Sequence, residues 1–214
     1  MTGLAAGTFD GHDLDLELLD PGNTLLTRLF RHPGGDWEPP PEAHRNLRVD
    51  PPVGHKGDFA MLYTGNTLAT VAIECGVLRA DPQDRYIWAI DRAAEYFVVR
   101  YAFAAPALFI PIDGRNRNTL GLAGGTRRFA GYEPYQAVAL ELFRRYGDVV
   151  HGLSWESFHR NQPGRVYALW HHHKTTIRLS VTAPELYSKL IDDAEWKDFL
   201  VVNPEVKAIA SPPK

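Results

Sequence analysis

The longest apolar pattern in the chain runs from Gly57 to Leu78, GDFAMLYTGNTLATVAIECGVL. Its first part, Phe59 to Tyr63, is a short continuous apolar run, which predicts a buried strand. A turn over residues 64–66 follows, and Asn66 or Thr67 is placed to cap a helix that continues to Leu78. The pattern therefore predicts a buried strand that is joined by a tight turn to an apolar helix.

One charged side chain, Glu74, interrupts the apolar sequence between Phe59 and Leu78. At helical spacing it shares a stripe with Thr67 and Val71. Burying an ionised carboxylate costs several kcal/mol unless a partner compensates for the lost hydration. Glu74 is therefore interpreted in two ways. It is an ion-pair partner or helix-edge residue that reaches solvent, or it is an active-site carboxylate held in a dry pocket.

The strand predicted before this stretch carries an arginine among apolar residues. In residues 23–30, NTLLTRLF, the alternation places Arg28 on the same face as Leu26 and Phe30. A guanidinium at this place either snorkels from an edge strand or contacts an anion from inside the fold.

The segment from His32 to Pro52 is rich in proline and glycine and predicts a long loop. Within it the sequence LRVDPP places Arg48 shortly before a pair of prolines, which restrict the direction of the backbone. Arg48 is therefore a candidate for binding an anion, with an ordinary solvated charge as the alternative.

The rest of the chain mixes helices and strands without regular alternation. Helices are predicted over residues 91–101, 132–146 and around 186–192, with a short one over 14–19. Strands are predicted over 106–112 and 149–157, and a strand or hairpin over 166–181. Mixed, non-alternating elements indicate an α+β fold. We expect a single domain over residues 1–214, with a core at about 25–180 and a C-terminal extension at 184–214 that ends in a surface tail.

The composition is that of an ordinary globular protein of 214 residues. A net charge of −3 gives no electrostatic argument for nucleic acid or an anionic membrane as partner. The single cysteine, Cys75, excludes an internal disulfide and is expected to be a packed, inert thiol. Because no signal-peptide pattern and no run of about 18 apolar residues is found, we expect a cytoplasmic protein without a membrane span.

Two other kinds of site are weakly supported by the sequence. On a strand, His171 and His173 would share one face and offer two metal ligands, yet no acidic or cysteine partner stands at a familiar spacing. We therefore predict no metal site. Ser154 and Ser157 lie outside a Gly-x-Ser-x-Gly elbow, so a serine hydrolase is not indicated either.

Five short motifs, in order along the chain, resemble those of the RES domain, a family named for its arginine, glutamate and serine. They are Arg28 in LTRLF, Arg48 in LRVDPP, Tyr63 and Glu74 in LYTGNTLATVAIE, and Ser157 in GLSWES. The match spans about residues 25–170. Two assignments stay open: Arg28 or Arg31 for the first arginine, and Arg45 or Arg48 for the second.

The resemblance implies a fold similar to that of ADP-ribosyltransferases, with a mixed, mostly antiparallel split sheet and flanking helices. It also implies that NAD+ is consumed as a substrate, with no cofactor. Glu74, Arg48 and Ser157 would act in catalysis, and Arg28 and Tyr63 would bind the substrate. A carboxylate suits the oxocarbenium-like state of ribosyl-bond cleavage, and arginine forks suit a pyrophosphate.

Proteins of this kind are typically toxins of toxin–antitoxin pairs, so the resemblance also implies a cognate antitoxin with a helix-turn-helix domain as partner. The expected reaction is cleavage of the nicotinamide–ribosyl bond by water, or by inorganic phosphate as a co-substrate. The alternatives are a mono-ADP-ribosyltransferase that modifies a protein, and a non-catalytic interaction domain on the same scaffold.

Overall fold

The computed structural model describes residues 14–22, 24–80, 85–123, 131–157, 164–182 and 187–210. Its helices are α1 (Leu68–Glu74), α2 (Ile90–Glu95), α3 (Asn116–Thr119), α4 (Glu133–Tyr146) and α5 (Ala194–Val202), with 3-10 turns at Glu42–His44, His171–Lys174 and Leu190–Asp192. Its strands are β1 (Glu17–Leu19), β2 (Leu26–Phe30), β3 (Met61–Gly65), β4 (Leu78–Ala80), β5 (Tyr86–Ala89), β6 (Phe97–Ala102), β7 (Ala107–Pro111), β8 (Gly152–Glu156), β9 (Arg165–Trp170), β10 (Ser180–Val181), β11 (Ser188–Lys189) and β12 (Lys207–Ile209).

Within these ranges, nine strands form one sheet in the order β1-β7-β8-β9-β3-β2-β6-β10, with β11 also paired to β6. The β7–β8 pair is parallel and the other pairs of this sheet are antiparallel. Strands β4, β5 and β12 form a separate three-stranded sheet. The predicted α+β class with a mostly antiparallel sheet is confirmed.

The large sheet is buried on both faces, as the alternation of β3 illustrates. Met61 packs into a cluster with Val138 of α4, whereas its neighbour Leu62 packs into a second cluster with Tyr101 of β6. A third cluster joins α1, α2 and α5 around the fully buried Trp196. Within the described residues, no helix is both long enough and apolar enough to cross a membrane.

The start of α1 agrees with the prediction. Thr67 is the N-cap residue, and its Oγ1 accepts a hydrogen bond from the amide of Thr70 at 3.1 Å. The turn before it connects β3 directly to α1, so the predicted strand-turn-helix unit is confirmed at this end.

The end of α1 differs from the prediction, which extended the helix to residue 78. Gly76 adopts a positive φ of 65°, which favours glycine. Its amide donates to the carbonyl of Ile73 and the amide of Val77 donates to that of Ala72, both at 2.8 Å, which is a Schellman motif. The helix therefore stops after Glu74, and Glu74 lies at its C-terminal end.

Several other boundaries were predicted wrongly. Residues 17–19 form β1 and not a helix, because they pair with β7 and alternate between the core and solvent. The helix predicted over residues 91–101 ends at Glu95, and the β-branched Val98 and Val99 continue as β6 between β2 and β10.

The C-terminal third also contains more structure than predicted. The strand predicted over 166–181 ends at Trp170, and the next four residues form a 3-10 turn. The described part of 186–192 contains no α-helix: Ser188–Lys189 form β11, and Leu190–Asp192 form a 3-10 turn. The α-helix begins after Asp193, which caps α5 by accepting a hydrogen bond from the amide of Trp196 at 3.2 Å. The predicted surface tail therefore contributes α5 and β12 to the fold.

Candidate active site

A cavity of about 540 Å³ lies where the C-terminal end of α1 meets β2, β3 and the loop that follows β2. This volume falls in the range of small-molecule sites, ~300–1,000 Å³. Its lining includes four arginines (Arg28, Arg31, Arg48, Arg92), the carboxylate of Glu74, and the rings of Tyr63, Tyr96, Tyr132 and Trp155. Four of the five predicted site residues thus line one cavity, and the fifth, Ser157, is bonded to Glu74.

Glu74 and Ser157 form the centre of this site. The Oγ of Ser157 donates a hydrogen bond to the Oε1 of Glu74 at 2.9 Å. Ser157 is buried, whereas Glu74 is exposed. Of the two interpretations of Glu74, the exposed helix-edge residue agrees with this position and the carboxylate in a dry pocket does not. Because α1 stops at Glu74, the side chain extends beyond the packed part of the helix and remains accessible from the cavity.

The position of Ser157 depends on a close approach between α1 and the chain before β9. The amide of Ser157 donates to the carbonyl of Gly164 at 2.8 Å. A Cβ on Gly164 would lie 1.9 Å from the Oγ1 of Thr70 on α1, so only glycine fits at this position. The glycine thereby fixes the distance between the serine and the helix that carries Glu74.

Arg28 lies inside the fold and not at an edge. Strand β2 is placed between β3 and β6, and only 4% of the surface of Arg28 is exposed, so the interpretation as a snorkelling edge arginine was wrong. Its Nε donates to the carbonyl of Gly35 at 2.9 Å and its Nη1 to the carbonyl of Tyr63 at 3.2 Å. Burial lowers the pKa of this guanidinium from its usual value, since desolvation disfavours the charged form.

Arg48 lies on the cavity wall above three aromatic rings. Its guanidinium carbon is 5.2 Å from the ring centre of Tyr135 and 5.7 Å from those of Tyr132 and Trp155. Such stacking is attractive and fixes the plane of the guanidinium. Arg45, the other candidate, instead donates to backbone carbonyls of its own loop, so Arg48 is the arginine of this segment that lines the cavity.

Arg31 and Arg28 both line the cavity, but their surroundings differ. The Nη1 of Arg31 lies 3.0 Å from the Oε2 of Glu95, and its guanidinium carbon is 5.2 Å from the ring centre of Tyr96. The charge of Arg31 is therefore partly compensated by the protein. The geometry leaves both residues within reach of a ligand.

Two hydrogen bonds hold the hydroxyl of Tyr63. The hydroxyl accepts a hydrogen bond from the amide of Val49 at 3.2 Å and bonds to the carboxylate of Asp50. Its ring meets that of Trp155 edge-on, with 6.2 Å between the centres. Burial raises the pKa of Tyr63 well above its usual value, so the phenol is neutral.

Sequence reasoning missed several residues of the site. Trp155 and Asp50 stand inside the quoted motifs GLSWES and LRVDPP, and their position next to predicted site residues was an available signal. Tyr132 directly precedes the clearest predicted helix. Arg92 reaches the cavity from α2, and no local pattern marks it.

Cys75 also lines the cavity, next to Glu74. Burial raises the pKa of its thiol to about 11. The thiol therefore stays protonated at neutral pH and is a poor nucleophile, in agreement with the prediction of an inert side chain.

The histidine run does not have the geometry on which the metal interpretation depended. His171 and His173 belong to a 3-10 turn and not to a strand. The Nε2 of His173 donates to the carbonyl of Gly147 at 2.6 Å. Among the residues that the structure describes, no group of three or more potential ligands could hold a metal ion.

The family model of the RES domain matches residues 25–189. A search of curated proteins finds no match. Among solved structures, the crystal structure of the M. tuberculosis MbcT-MbcA toxin-antitoxin complex is similar, with a TM-score of 0.43 and 13% identity over 76% of this chain and 83% of that chain.

Proposed function

The chain belongs to the RES domain family, and from this premise we propose that it is an NAD+-consuming toxin that cleaves the nicotinamide–ribosyl bond. The observation that carries the proposal is the Ser157–Glu74 hydrogen bond of 2.9 Å, which places an accessible carboxylate on the wall of a cavity lined by arginines. Family membership supports the assignment to toxins.

Glu74 supplies the charge that this reaction needs. As the C–N bond to nicotinamide breaks, its electron pair leaves with the nicotinamide nitrogen and the ribose carbon becomes oxocarbenium-like. A carboxylate placed beside that carbon stabilises the developing positive charge. The hydroxyl of Ser157 holds one oxygen of Glu74 and leaves the other for a ribose hydroxyl.

The arginines suit the rest of the substrate. NAD+ carries a pyrophosphate, and planar guanidinium groups bind phosphate oxygens with two parallel hydrogen bonds. Arg28 and Arg48 face the same cavity as Glu74, from β2 and from the loop before β3. The rings of Tyr63 and Trp155 offer apolar contact for a flat base beside them.

The acceptor of the ribosyl group is water or inorganic phosphate. In either case an oxygen of the acceptor forms a bond to the ribose carbon. A water oxygen also gives up a proton, whereas an ionised phosphate oxygen has none to lose. Glu74 is accessible from the cavity, and in the reaction with water its carboxylate would accept that proton.

The proposal is tested by following nicotinamide release from NAD+ with the purified protein, with and without phosphate. We expect release by the wild type and a loss of about 10²–10⁴-fold for Glu74→Gln. The matched control is Glu156→Gln, which removes an exposed carboxylate at the end of β8 and should keep the wild-type rate. Phosphate dependence identifies the acceptor.

Other outcomes would overturn the proposal. A folded wild type that releases no nicotinamide excludes NAD+ cleavage and favours an interaction domain. Labelled NAD+ that leaves ADP-ribose on a protein in a cell extract shows a transferase. A Glu74→Gln variant with wild-type turnover shows that another group carries the chemistry.

The partner that fits this function is a cognate antitoxin with a helix-turn-helix domain. We expect expression in bacteria to stop growth and lower cellular NAD+, and the Glu74→Gln variant to do neither. Co-expression with the antitoxin should restore growth and yield a complex that releases no nicotinamide.

A further inference from the structure

Asp50 is a buried carboxylate next to the site whose role is not explained by the proposed chemistry. Only 2% of its surface is exposed. Its Oδ2 accepts a hydrogen bond from the amide of Leu47 at 2.7 Å, and its carboxylate also bonds to the hydroxyl of Tyr63. A buried carboxylate is costly, and two donors offset part of that cost.

The two donors connect Asp50 to two predicted site residues. Leu47 and Asp50 enclose Arg48, so their hydrogen bond closes a tight loop around the residue that carries the guanidinium. The hydroxyl of Tyr63, on β3, accepts from the amide of Val49 at 3.2 Å in the same loop. Strand and loop are therefore joined through one carboxylate and one phenol.

A third contact comes from the helix on the other side. The Nε2 of Gln136 on α4 donates to the carbonyl of Leu47 at 2.9 Å, and Gln136 is buried. The segment 47–50 is thus held by its own carboxylate, by β3 and by α4. The backbone below Arg48 has little freedom.

The geometry points to Asp50 as a positioning residue that holds Arg48 and Tyr63 in one rigid wall of the cavity. Its effect on turnover rests on the proposed function, whereas its effect on the loop does not. An asparagine has the same size, but it offers an acceptor on one oxygen only and turns an NH2 group toward the second donor. Asp50→Asn should therefore loosen the wall without removing a group that touches the substrate.

The first arm of the test measures amide hydrogen exchange and needs no substrate. We expect the amides of Leu47 and Val49, taken together, to exchange at least about 10-fold faster in Asp50→Asn than in the wild type, because asparagine can accept from only one of the two donors that anchor this loop. The control is Asp193→Asn, which alters another buried carboxylate, one that binds Arg100 and caps α5. In the control, both amides should keep their protection. Unchanged protection in Asp50→Asn would overturn the proposal.

The second arm measures kcat/KM for NAD+ per folded molecule. We expect a fall of about 10–100-fold for Asp50→Asn, as for other residues that orient a catalytic or binding group, and none for Asp193→Asn. Tyr63→Phe removes the shared hydroxyl, so the double variant Asp50→Asn/Tyr63→Phe should be no slower than the slower single variant.

The outcomes separate this inference from the proposed function. Additive losses in the double variant, or equal losses in the Asp50 and Asp193 variants, would overturn the role of Asp50. A wild type without turnover would overturn the proposed function, and the exchange of the Leu47 and Val49 amides would then decide on the positioning role alone.

Discussion

Two arginines of the same sheet, Arg28 and Arg165, have contrasting surroundings. The Nε of Arg165 lies 2.6 Å from the Oε2 of Glu17 and its Nη1 lies 3.1 Å from the Oδ2 of Asp113. Arg28 is more deeply buried, yet its hydrogen bonds go to backbone carbonyl oxygens, which carry no formal charge. Arg165 is directly paired with carboxylates, whereas the hydrogen bonds of Arg28 go to carbonyl oxygens and the Asp50 carboxylate acts on its charge from nearby.

The difference indicates what each residue does. The carboxylate of Glu17 also accepts hydrogen bonds from the hydroxyls of Ser154 and Tyr167, so the Arg165 cluster is a self-contained network that holds β1, β8 and β9 together. The charge of Arg28 is costly to bury and remains uncompensated by these carbonyls. An anionic ligand in the cavity would add negative charge beside Arg28, and the pyrophosphate of the proposed substrate fits this role.

The sharpest test of this comparison is Arg28→Met, which keeps the length of the side chain and removes its charge. We expect NAD+ cleavage to fall by at least about 100-fold, because the pyrophosphate loses a guanidinium inside a low-dielectric cavity. The free energy of unfolding should stay within about 1 kcal/mol of the wild type, since relief of desolvation offsets two lost hydrogen bonds. The measurements are nicotinamide release and urea denaturation.

The contrast between the two arginines would be contradicted if Arg28→Met unfolded the protein while the molecules that remain folded kept wild-type turnover. Arg28 would then be a structural residue like Arg165. Arg28→Lys is a useful intermediate, because it keeps the charge and loses the fork geometry.

The converse test is Arg165→Met. Removing the guanidinium leaves Glu17 and Asp113 close together without their cation, which should lower the free energy of unfolding by about 2 kcal/mol. Turnover per folded molecule should not change, because Trp155 and Val166 face the cavity while their neighbours Ser154 and Tyr167 face the network. A large loss of kcat/KM in the folded enzyme would contradict this separation.

These two arginines also show how much of the site the sequence could predict. Arg28, Glu74 and Ser157 were found because each stands in a short motif, and the structure brings them to one cavity or its border. The sequence left open whether Glu74 is accessible or buried, because the predicted helix ran on to Leu78, although a signal for its end was present two residues after Glu74. Gly76 ends α1, and recognising it as a helix stop would have shortened the helix.

Other features depend on strand pairing that no local pattern contains. Glu17 and Arg165 are 148 residues apart in the chain and meet only because β1, β7, β8 and β9 are neighbours in the sheet. Asp50 and Tyr63 are close in sequence, but their contact requires the long loop before β3 to fold back on this strand. Such contacts follow from the topology and cannot be derived from periodicity alone.

Three neighbouring histidines near the end of α4, His151, His172 and His173, provide the test with the smallest expected effect. Like Arg28, His173 is buried, but the rings of these histidines become charged only at acidic pH. The ring centres of His172 and His173 are 4.1 Å apart, and those of His151 and His173 are 4.9 Å apart. Burial, followed by the neighbouring histidines, lowers the pKa of His151 below its ordinary value, and burial also lowers that of His173. Protonation therefore places like charges together in a partly desolvated turn.

The sign of the pH dependence follows from these lowered pKa values. In the unfolded chain both rings have a pKa of about 6.5, so between that pH and the lower pKa of the folded state the unfolded chain binds more protons. The stabilisation is complete above about pH 7 and is lost as the pH falls through 6.5 toward the folded-state pKa. The thermal midpoint should drop by a few degrees between pH 7.5 and 5.5. His173→Gln, whose amide can still donate to Gly147, should show a smaller drop and unchanged NAD+ cleavage at pH 7.5. An equal drop in both proteins would show that His173 binds its proton at the same pH in the folded and the unfolded chain, and would contradict the lowered pKa.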